Sequence, residues 1–347
     1  MLKGILRAAS VVACTAFVYS AANANDWVQM PLDNTQSWSM RMIESEMVRF
    51  PEAWQIDWDE KPQWDYVHGL NLLAITEVYQ EIKDPRLLSY VKGYYDMLVQ
   101  QDGSIKTYDI NKFNIDMVNP GKVLFFLYEE TGNPKYKKAA DLLRTQLTTH
   151  PRTEQGGFWH KKRYPDQMWL DGLYMGAPFY AEYIVKYGDM KELDDVFLQF
   201  ELIEEHLYDE KTGLPLHGWD ASKKQKWADK ETGLSQHHWS RSLGWYAMAM
   251  VDVLEVVPAE HPKTPWLKAR FKAFIDATLT YQHNSGTWYQ VTDLGSREGN
   301  YLEASGTAML TYAMAKGASL KFLPEEYKAH AEKGFAGLLD QMISVNP

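Results

Sequence analysis

The stretch Val78-Tyr79-Gln80-Glu81-Ile82-Lys83-Asp84-Pro85-Arg86-Leu87 returns, altered in detail, as Leu127-Tyr128-Glu129-Glu130-Thr131-Gly132-Asn133-Pro134-Lys135-Tyr136. Each copy reads as the end of one helix, an Asx-Pro turn and the start of the next. A proline just inside a helix start loses nothing, because the first amides have no internal partner, and the Asp or Asn before it supplies a capping oxygen. The unit is therefore a helical hairpin. Looser versions follow where Tyr187-Gly188-Asp189 leads into 191–207 and Val257-Pro258 leads into 265–282. Apolar residues keep helical spacing through the rest, as in Tyr136, Ala140, Leu143, Leu147 and in Leu243, Ala247, Met250, Val251, Leu254. Long alternating strand patterns are absent. The periodicity predicts about eleven helical segments, near 36–49, 65–81, 85–99, 120–130, 134–149, 172–187, 191–207, 242–256, 265–282, 303–316 and 324–344. Hairpins of this length cannot bury their apolar faces alone, so they stack into a closed or superhelical array.

Four loops punctuate the array: Gln101-Asp102-Gly103, Gly156-Gly157-Phe158-Trp159-His160-Lys161, Gly213-Leu214-Pro215-Leu216-His217-Gly218-Trp219 and Gly286-Thr287-Trp288-Tyr289-Gln290. All four follow an outgoing helix and precede an ingoing one. In a ring of hairpins they are expected to converge on one mouth, where a ligand would sit. No Pro/Gly/Ser-rich linker divides the chain, so residues 25–347 read as a single domain. Residues 1–24 read instead as a secretory signal peptide: Lys3 and Arg7, an apolar run from Ala8 to Tyr19, then Ala22-Asn23-Ala24. Val11-Val12-Ala13-Cys14 also fits a loose lipoprotein box, the less favoured reading. Cys14 is the only cysteine and lies in that leader, so neither a disulfide nor a thiolate metal site is expected beyond it. A periplasmic or extracellular protein with no membrane span is the expectation.

The chain has 347 residues, 45% hydrophobic and 24% charged, enough for a sizeable core. A formal charge of −10 argues against nucleic acid or an anionic membrane as partner. Its 13 Trp and 21 Tyr exceed what a helical scaffold needs and suit the stacking of flat ligands such as sugar rings.

Tyr164-Pro165-Asp166-Gln167-Met168-Trp169-Leu170-Asp171-Gly172-Leu173-Tyr174-Met175 sets an acid between aromatics at the start of an apolar helix. Asp171 reads either as the cap of that helix or as a general acid. Phe158, Trp159, Trp169 and Tyr174 are expected to desolvate it and push its pKa up, against the helix dipole. Asp116, in Asn114-Ile115-Asp116-Met117-Val118-Asn119-Pro120-Gly121, precedes the next inner helix. With Asn119 before Pro120 as the expected cap, Asp116 is free to act as a second carboxylate, or simply faces water as a turn residue. His237-His238-Trp239-Ser240-Arg241-Ser242-Leu243-Gly244-Trp245 opens another inner helix, with the Arg241 fork suited to a carboxylate and Trp239 and Trp245 offering stacking faces. His160-Lys161-Lys162-Arg163 adds positive charge. The paired histidines lack any HExxH, cysteine or repeated His/Asp spacing, so no metal site is assigned. Neither a phosphate-cradling glycine motif nor a GxSxG elbow occurs.

Three of these stretches together, Met168 to Met175, His238 to Trp245 and Gly286-Thr287-Trp288-Tyr289-Gln290, resemble glycoside hydrolase family 105, the unsaturated uronyl and rhamnogalacturonyl hydrolases. The likeness runs on through Tyr301-Leu302-Glu303-Ala304-Ser305-Gly306-Thr307-Ala308-Met309. It implies an all-α fold, an (α/α)6 barrel, and no metal or organic cofactor. The implied reaction hydrates the C4=C5 double bond of a terminal unsaturated uronic acid in a lyase-generated, pectin- or rhamnogalacturonan-type oligosaccharide. By motif match Asp171 would be the acid/base and Asp116 its partner, while Tyr66, His160, Lys161, His217, Trp239, Arg241 and Trp245 would line the uronyl subsite. The family continues into a further loop and closing helix, so the ring here is expected to lack its last helix. An (α/α)6 sugar epimerase and a non-catalytic carbohydrate-binding protein are the alternatives.

Overall fold

The computed structural model describes residues 36–345, and eleven α-helices carry the chain among them. They are α1 (Trp38–Arg49), α2 (Tyr66–Ile82), α3 (Pro85–Leu98), α4 (Gly121–Thr131), α5 (Pro134–Thr149), α6 (Leu170–Tyr187), α7 (Leu193–Leu207), α8 (Ser240–Val256), α9 (Thr264–Leu279), α10 (Ala304–Ser319) and α11 (Tyr327–Gln341). The mostly helical fold predicted from periodicity is observed, and no helix follows α11 among the described residues. The leader expected at 1–24 lies outside them. No helix of the described residues is long and apolar enough to cross a membrane.

The Asx-Pro turns work as their chemistry requires. The Asp84 carboxylate accepts the Arg86 N–H (2.9 Å) and the Asn133 side-chain oxygen accepts the Lys135 N–H (3.1 Å), each with a proline at the first helical position. Helices α3, α5, α7, α9 and α11 bury one face; on α3 that face is Leu87, Tyr90, Val91, Tyr94, Tyr95 and Leu98. Helices α2, α4, α6, α8 and α10 are the inner set, and α8 is buried continuously from Ser242 to Leu254. Each fully buried leucine or isoleucine contributes about 1.5–3 kcal/mol of transfer free energy, and the core runs as one cluster from Ile43 to Leu338. Close approach of α8 and α10 depends on small residues, since a Cβ on Gly244 would sit 2.7 Å from Met309 and one on Gly306 2.6 Å from the Ser240 backbone. At the far end of the inner set the Tyr312 hydroxyl reaches Asp252 of α8 (3.1 Å) and Glu77 of α2 (3.5 Å).

The four punctuating loops do two jobs rather than one. Gly103, Gly156, Gly213 and Gly286 all have positive φ, and each lies against the next outer helix: Lys138 of α5, Leu198 of α7, Ala277 of α9 and Lys333 of α11. A Cβ at Gly103 would meet the Lys138 Cβ at 2.3 Å, and one at Gly286 the Lys333 carbonyl oxygen at 2.2 Å. These loops therefore do not converge whole on a mouth, as the sequence suggested. Their glycines wedge between outer helices, and only later residues reach the starts of the inner ones.

Because Gly286 combines φ +94° with a backbone atom where a side chain would go, Gly286→Ala is expected to lower unfolding stability by about 2 kcal/mol. Asn133→Ala, which removes only a cap, is expected to cost about 1 kcal/mol. Denaturant midpoints of the two variants check the order.

Candidate active site

Two three-residue strands set the geometry. β1 (Gln167–Trp169) pairs antiparallel with a second strand (Gly218–Asp220), placing Trp169 opposite Gly218. The Leu170 N–H then donates to the His217 carbonyl at 3.0 Å. This crossing ties the start of α6 to the loop after α7. Trp169 occupies the N-cap position of α6 and Asp171 lies in the first turn, so Asp171 does not cap the helix. Its Oδ2 instead lies 3.1 Å from the Nε2 of His217. Burial pushes the Asp171 carboxyl up, but the His217 imidazole, and more weakly His160, outweigh it and hold the pKa below its ordinary value. The direction expected from the aromatic neighbours is thus reversed, because the decisive partner comes from another hairpin.

Asp116 sits in the short turn Ile115–Val118, which Asn114 caps by accepting the Asp116 N–H at 3.2 Å. The Ile115 N–H donates to the His160 carbonyl (3.2 Å) and an isolated bridge joins Asn114 to Lys161, so the two loops are laced together. Through this lacing Asp116 Oδ1 lies 3.1 Å from His160 Nε2, and Oδ2 lies 2.5 Å from the Lys161 ammonium. Asp116 is buried, not a turn residue facing water. Burial pushes its carboxyl up, yet the His160 and Lys161 contacts more than offset this and hold it at about 2. Asn119 does not cap α4; Pro120 stands at that position, and the Asn119 amide donates to the Tyr66 carbonyl at 3.1 Å, fastening α2 beside Asp116.

Aromatic rings wall the pair. Trp169 stacks on His160 (4.3 Å) and on Tyr164 (5.2 Å), and His217 meets Trp239 edge to face at 5.0 Å. The Arg241 guanidinium lies 4.8 Å from the Trp239 ring centre. Tyr66, the first residue of α2, is in the same field: burial, then Asp65, Asp116 and Asp171, raise its hydroxyl pKa while Arg241 lowers it. Structure therefore brings Tyr66, Asp116, His160, Lys161, Asp171, His217, Trp239 and Arg241 together. Trp245 is the exception: 1% exposed and stacked on Tyr174 at 4.7 Å, it belongs to the core rather than to a stacking shelf. Of the paired histidines, His238 is buried between Asp293 (3.2 Å), Asp209 (3.6 Å) and the Thr212 hydroxyl (3.1 Å), while His237 is exposed. Among the described residues no group of three His, Cys, Asp or Glu side chains is arranged to hold a metal ion.

Trp169, which the sequence offered only as a ring to desolvate Asp171, also stacks on His160 and Tyr164 and so builds the wall of the site. Beyond it and His217 opens a cavity of about 370 Å³, lined also by Gly218, Trp227, Ser235, Gln236 and His237. Nothing in Lys226-Trp227-Ala228 marked Trp227 beforehand.

A barrel of helical hairpins with one buried and one half-buried carboxylate, Asp116 and Asp171, between aromatic walls at the inner-helix starts is equipment for chemistry on sugars. The sequence profile described as Glycosyl Hydrolase Family 88 matches residues 38–347, and the chain belongs to that family, so it is a glycoside hydrolase. It is similar to a family 105 glycoside hydrolase from C. acetobutylicum, with 43% identity, a TM-score of 0.85, and coverage of 89% of this chain and 84% of that one. A possible member of family 105 from Klebsiella pneumoniae aligns at 24% identity and TM-score 0.72 over 97% of this chain and 81% of that one, a likeness of fold. An unsaturated 3S-rhamnoglycuronyl hydrolase of Formosa agariphila is 24% identical over half of this chain and 46% of its own length. The likeness to family 105 read from the motifs is borne out.

A carboxyl whose folded pKa lies below its unfolded value stabilises the fold above about pH 4 and loses that contribution as the pH falls towards 2. Asp116, held at about 2, is expected to do so. The denaturant midpoint of the unaltered protein should therefore fall more steeply from pH 4 downward than that of Asp116→Asn, about as each pKa range dictates.

Proposed function

We propose that this glycoside hydrolase removes a terminal 4,5-unsaturated uronic acid from oligosaccharides left by polysaccharide lyases, by hydrating the C4=C5 bond. The observation that carries the reading is the Asp171–His217 contact at 3.1 Å, within reach of the field shared by Tyr66, Asp116 and Arg241. Arg241 is the fork for the uronate carboxylate. Asp116, held ionised by Lys161 and His160, is a fixed acceptor for ring hydroxyls rather than a proton carrier.

Against burial, which pushes it up, the His217 imidazole and, more weakly, His160 hold the Asp171 carboxyl below its ordinary pKa, and Asp171 takes up the working proton from solvent as substrate binds. A bound uronate brings like charge and expels water, and both raise the Asp171 pKa into the range of a general acid. Asp171 protonates C4, and the positive charge that develops at C5 and the ring oxygen is stabilised by the nearby carboxylates. The same carboxylate then takes a proton from the water that adds at C5. The resulting C5 hemiketal opens to a ketone, C1 is left as a hemiacetal, and its collapse to an aldehyde releases the neighbouring sugar. The leader pattern at 1–24 supports a periplasmic or extracellular place for this reaction.

With a lyase-made unsaturated disaccharide, the ultraviolet absorbance of the conjugated double bond is expected to disappear. Asp171→Asn should lower the rate by about 10³-fold while substrate still binds. In heavy water one deuterium should enter at C4 of the product; a product without it would refute protonation at that carbon. Persistent absorbance with binding intact in the unaltered protein would refute the hydration itself.

A further inference from the structure

The inner helices end, as well as begin, around a cavity. At the end remote from Asp171 lies a space of about 440 Å³, within the range of small-ligand pockets, roughly 300–1,000 Å³. Asp171 stands in the first turn of α6, and Glu182, which lines this cavity, lies about 16 Å further along the same helix. Glu77 of α2, Glu182 of α6, Glu255 of α8 and Lys316 of α10 all come from later turns of inner helices, whose C-terminal ends carry partial negative charge.

The charged groups of the lining satisfy one another, with one exception. Lys316 reaches Asp252 (2.7 Å), Glu255 (2.6 Å) and the Tyr312 hydroxyl (2.9 Å). Lys186 meets Glu129 and lies 3.5 Å from Glu182, while the Tyr312 hydroxyl donates to Glu77 at 3.5 Å. Lys122, from the first turn of α4, is different. It is only 6% exposed and lines the cavity, yet its ammonium makes no hydrogen bond among the described residues and rests 3.6 Å from the centre of the Tyr174 ring. A buried donor of this kind is costly unless something accepts from it.

An anion would give Lys122 its acceptor but would meet Glu77, Glu129, Glu182 and Glu255 at the negative ends of the helices. A cation would suit those carboxylates and leave Lys122 without an acceptor. Burial also brings Lys122 down to about 7 and Glu182 up to about 7, so neither holds its charge firmly enough to anchor an ion. A hydroxyl both donates and accepts, and Leu73, Phe126 and Val256 supply apolar surface for the C–H face of a ring. We propose that this far-end cavity is a second ligand site, which takes a neutral polyhydroxylated ring of monosaccharide size, with Lys122 as donor to one of its oxygens and the carboxylates as acceptors for its hydroxyls. The site stands apart from the uronyl reading of the Asp171 end.

The test is calorimetric binding of four probes: galactose, rhamnose, galacturonate and galactosamine, the last two being a galactose ring with a negative or a positive charge. Ser319→Trp, at an exposed position of the cavity lining, fills the opening, so binding that this variant abolishes is binding in the cavity. There the unaltered protein is expected to hold galactose or rhamnose at least about tenfold more tightly than either charged ring. Lys122→Met, which keeps an unbranched buried chain and removes the donor, should weaken that binding about tenfold. Turnover of an unsaturated disaccharide should be unchanged in both variants. Ser319→Trp keeps the test open should Lys122→Met fail to fold. Absence of saturable binding of both neutral sugars, binding that survives Ser319→Trp in full, or a charged ring held in the cavity as tightly as a neutral one would overturn the inference. Each of these outcomes leaves the uronyl reading in place, which fails only on the absorbance and deuterium measurements.

Discussion

The antiparallel pairing of Gln167–Trp169 with Gly218–Asp220 is the constraint on which the site depends. It is only three residues long, but it joins two hairpins that helix packing alone would leave free to slide. Once Trp169 faces Gly218 and the Leu170 N–H is bonded to the His217 carbonyl, Asp171 and His217 have little choice but to meet. A one-residue slip of such a pairing reverses the faces of every side chain in it, which would part the acid from its imidazole and turn the Trp169 indole away from His160. The lacing of Asn114 and Ile115 to His160 and Lys161 does for Asp116 what the strands do for Asp171.

The two carboxylates consequently differ in kind. Asp116 is locked between an ammonium and an imidazole, and its charge is permanent at any ordinary pH. Asp171 lies 3.1 Å from the half-buried imidazole of His217, which with His160 outweighs burial and holds its carboxyl below the ordinary value, and among the described residues no ammonium contact to it is seen like that of Lys161 to Asp116. An acid clamped by an ammonium beside one held by imidazoles is the division on which the proposed acid–base chemistry relies.

Much of this was legible in the order of residues because it is local. The caps at Asp84 and Asn133 need only a proline at the next position, and the helical period needs only the apolar residues of its own segment. Asp171, Asp116 and Arg241 were visible as chemically loaded residues at or just before helix starts, and His217 through the family resemblance. What escaped was set by partners distant in sequence. The Asp171 pKa turns on His217, the Asn119 amide goes to α2 instead of its own helix, and the Trp245 indole finds Tyr174 before any ligand. The strands are too short to show alternation, and Trp227 sits in a lysine-bearing loop whose composition reads as solvated surface.

All four punctuating loops have a glycine pressed against the next outer helix, and two of them carry, further along, residues of the carboxylate site, His160 and Lys161 in one and His217 in the other. Fastening and recognition are thus assigned to different stretches of one connection. Selection can exchange the later stretch to suit a new polysaccharide while the earlier one keeps the wall shut, so diversification of diet need not be purchased with loss of architecture.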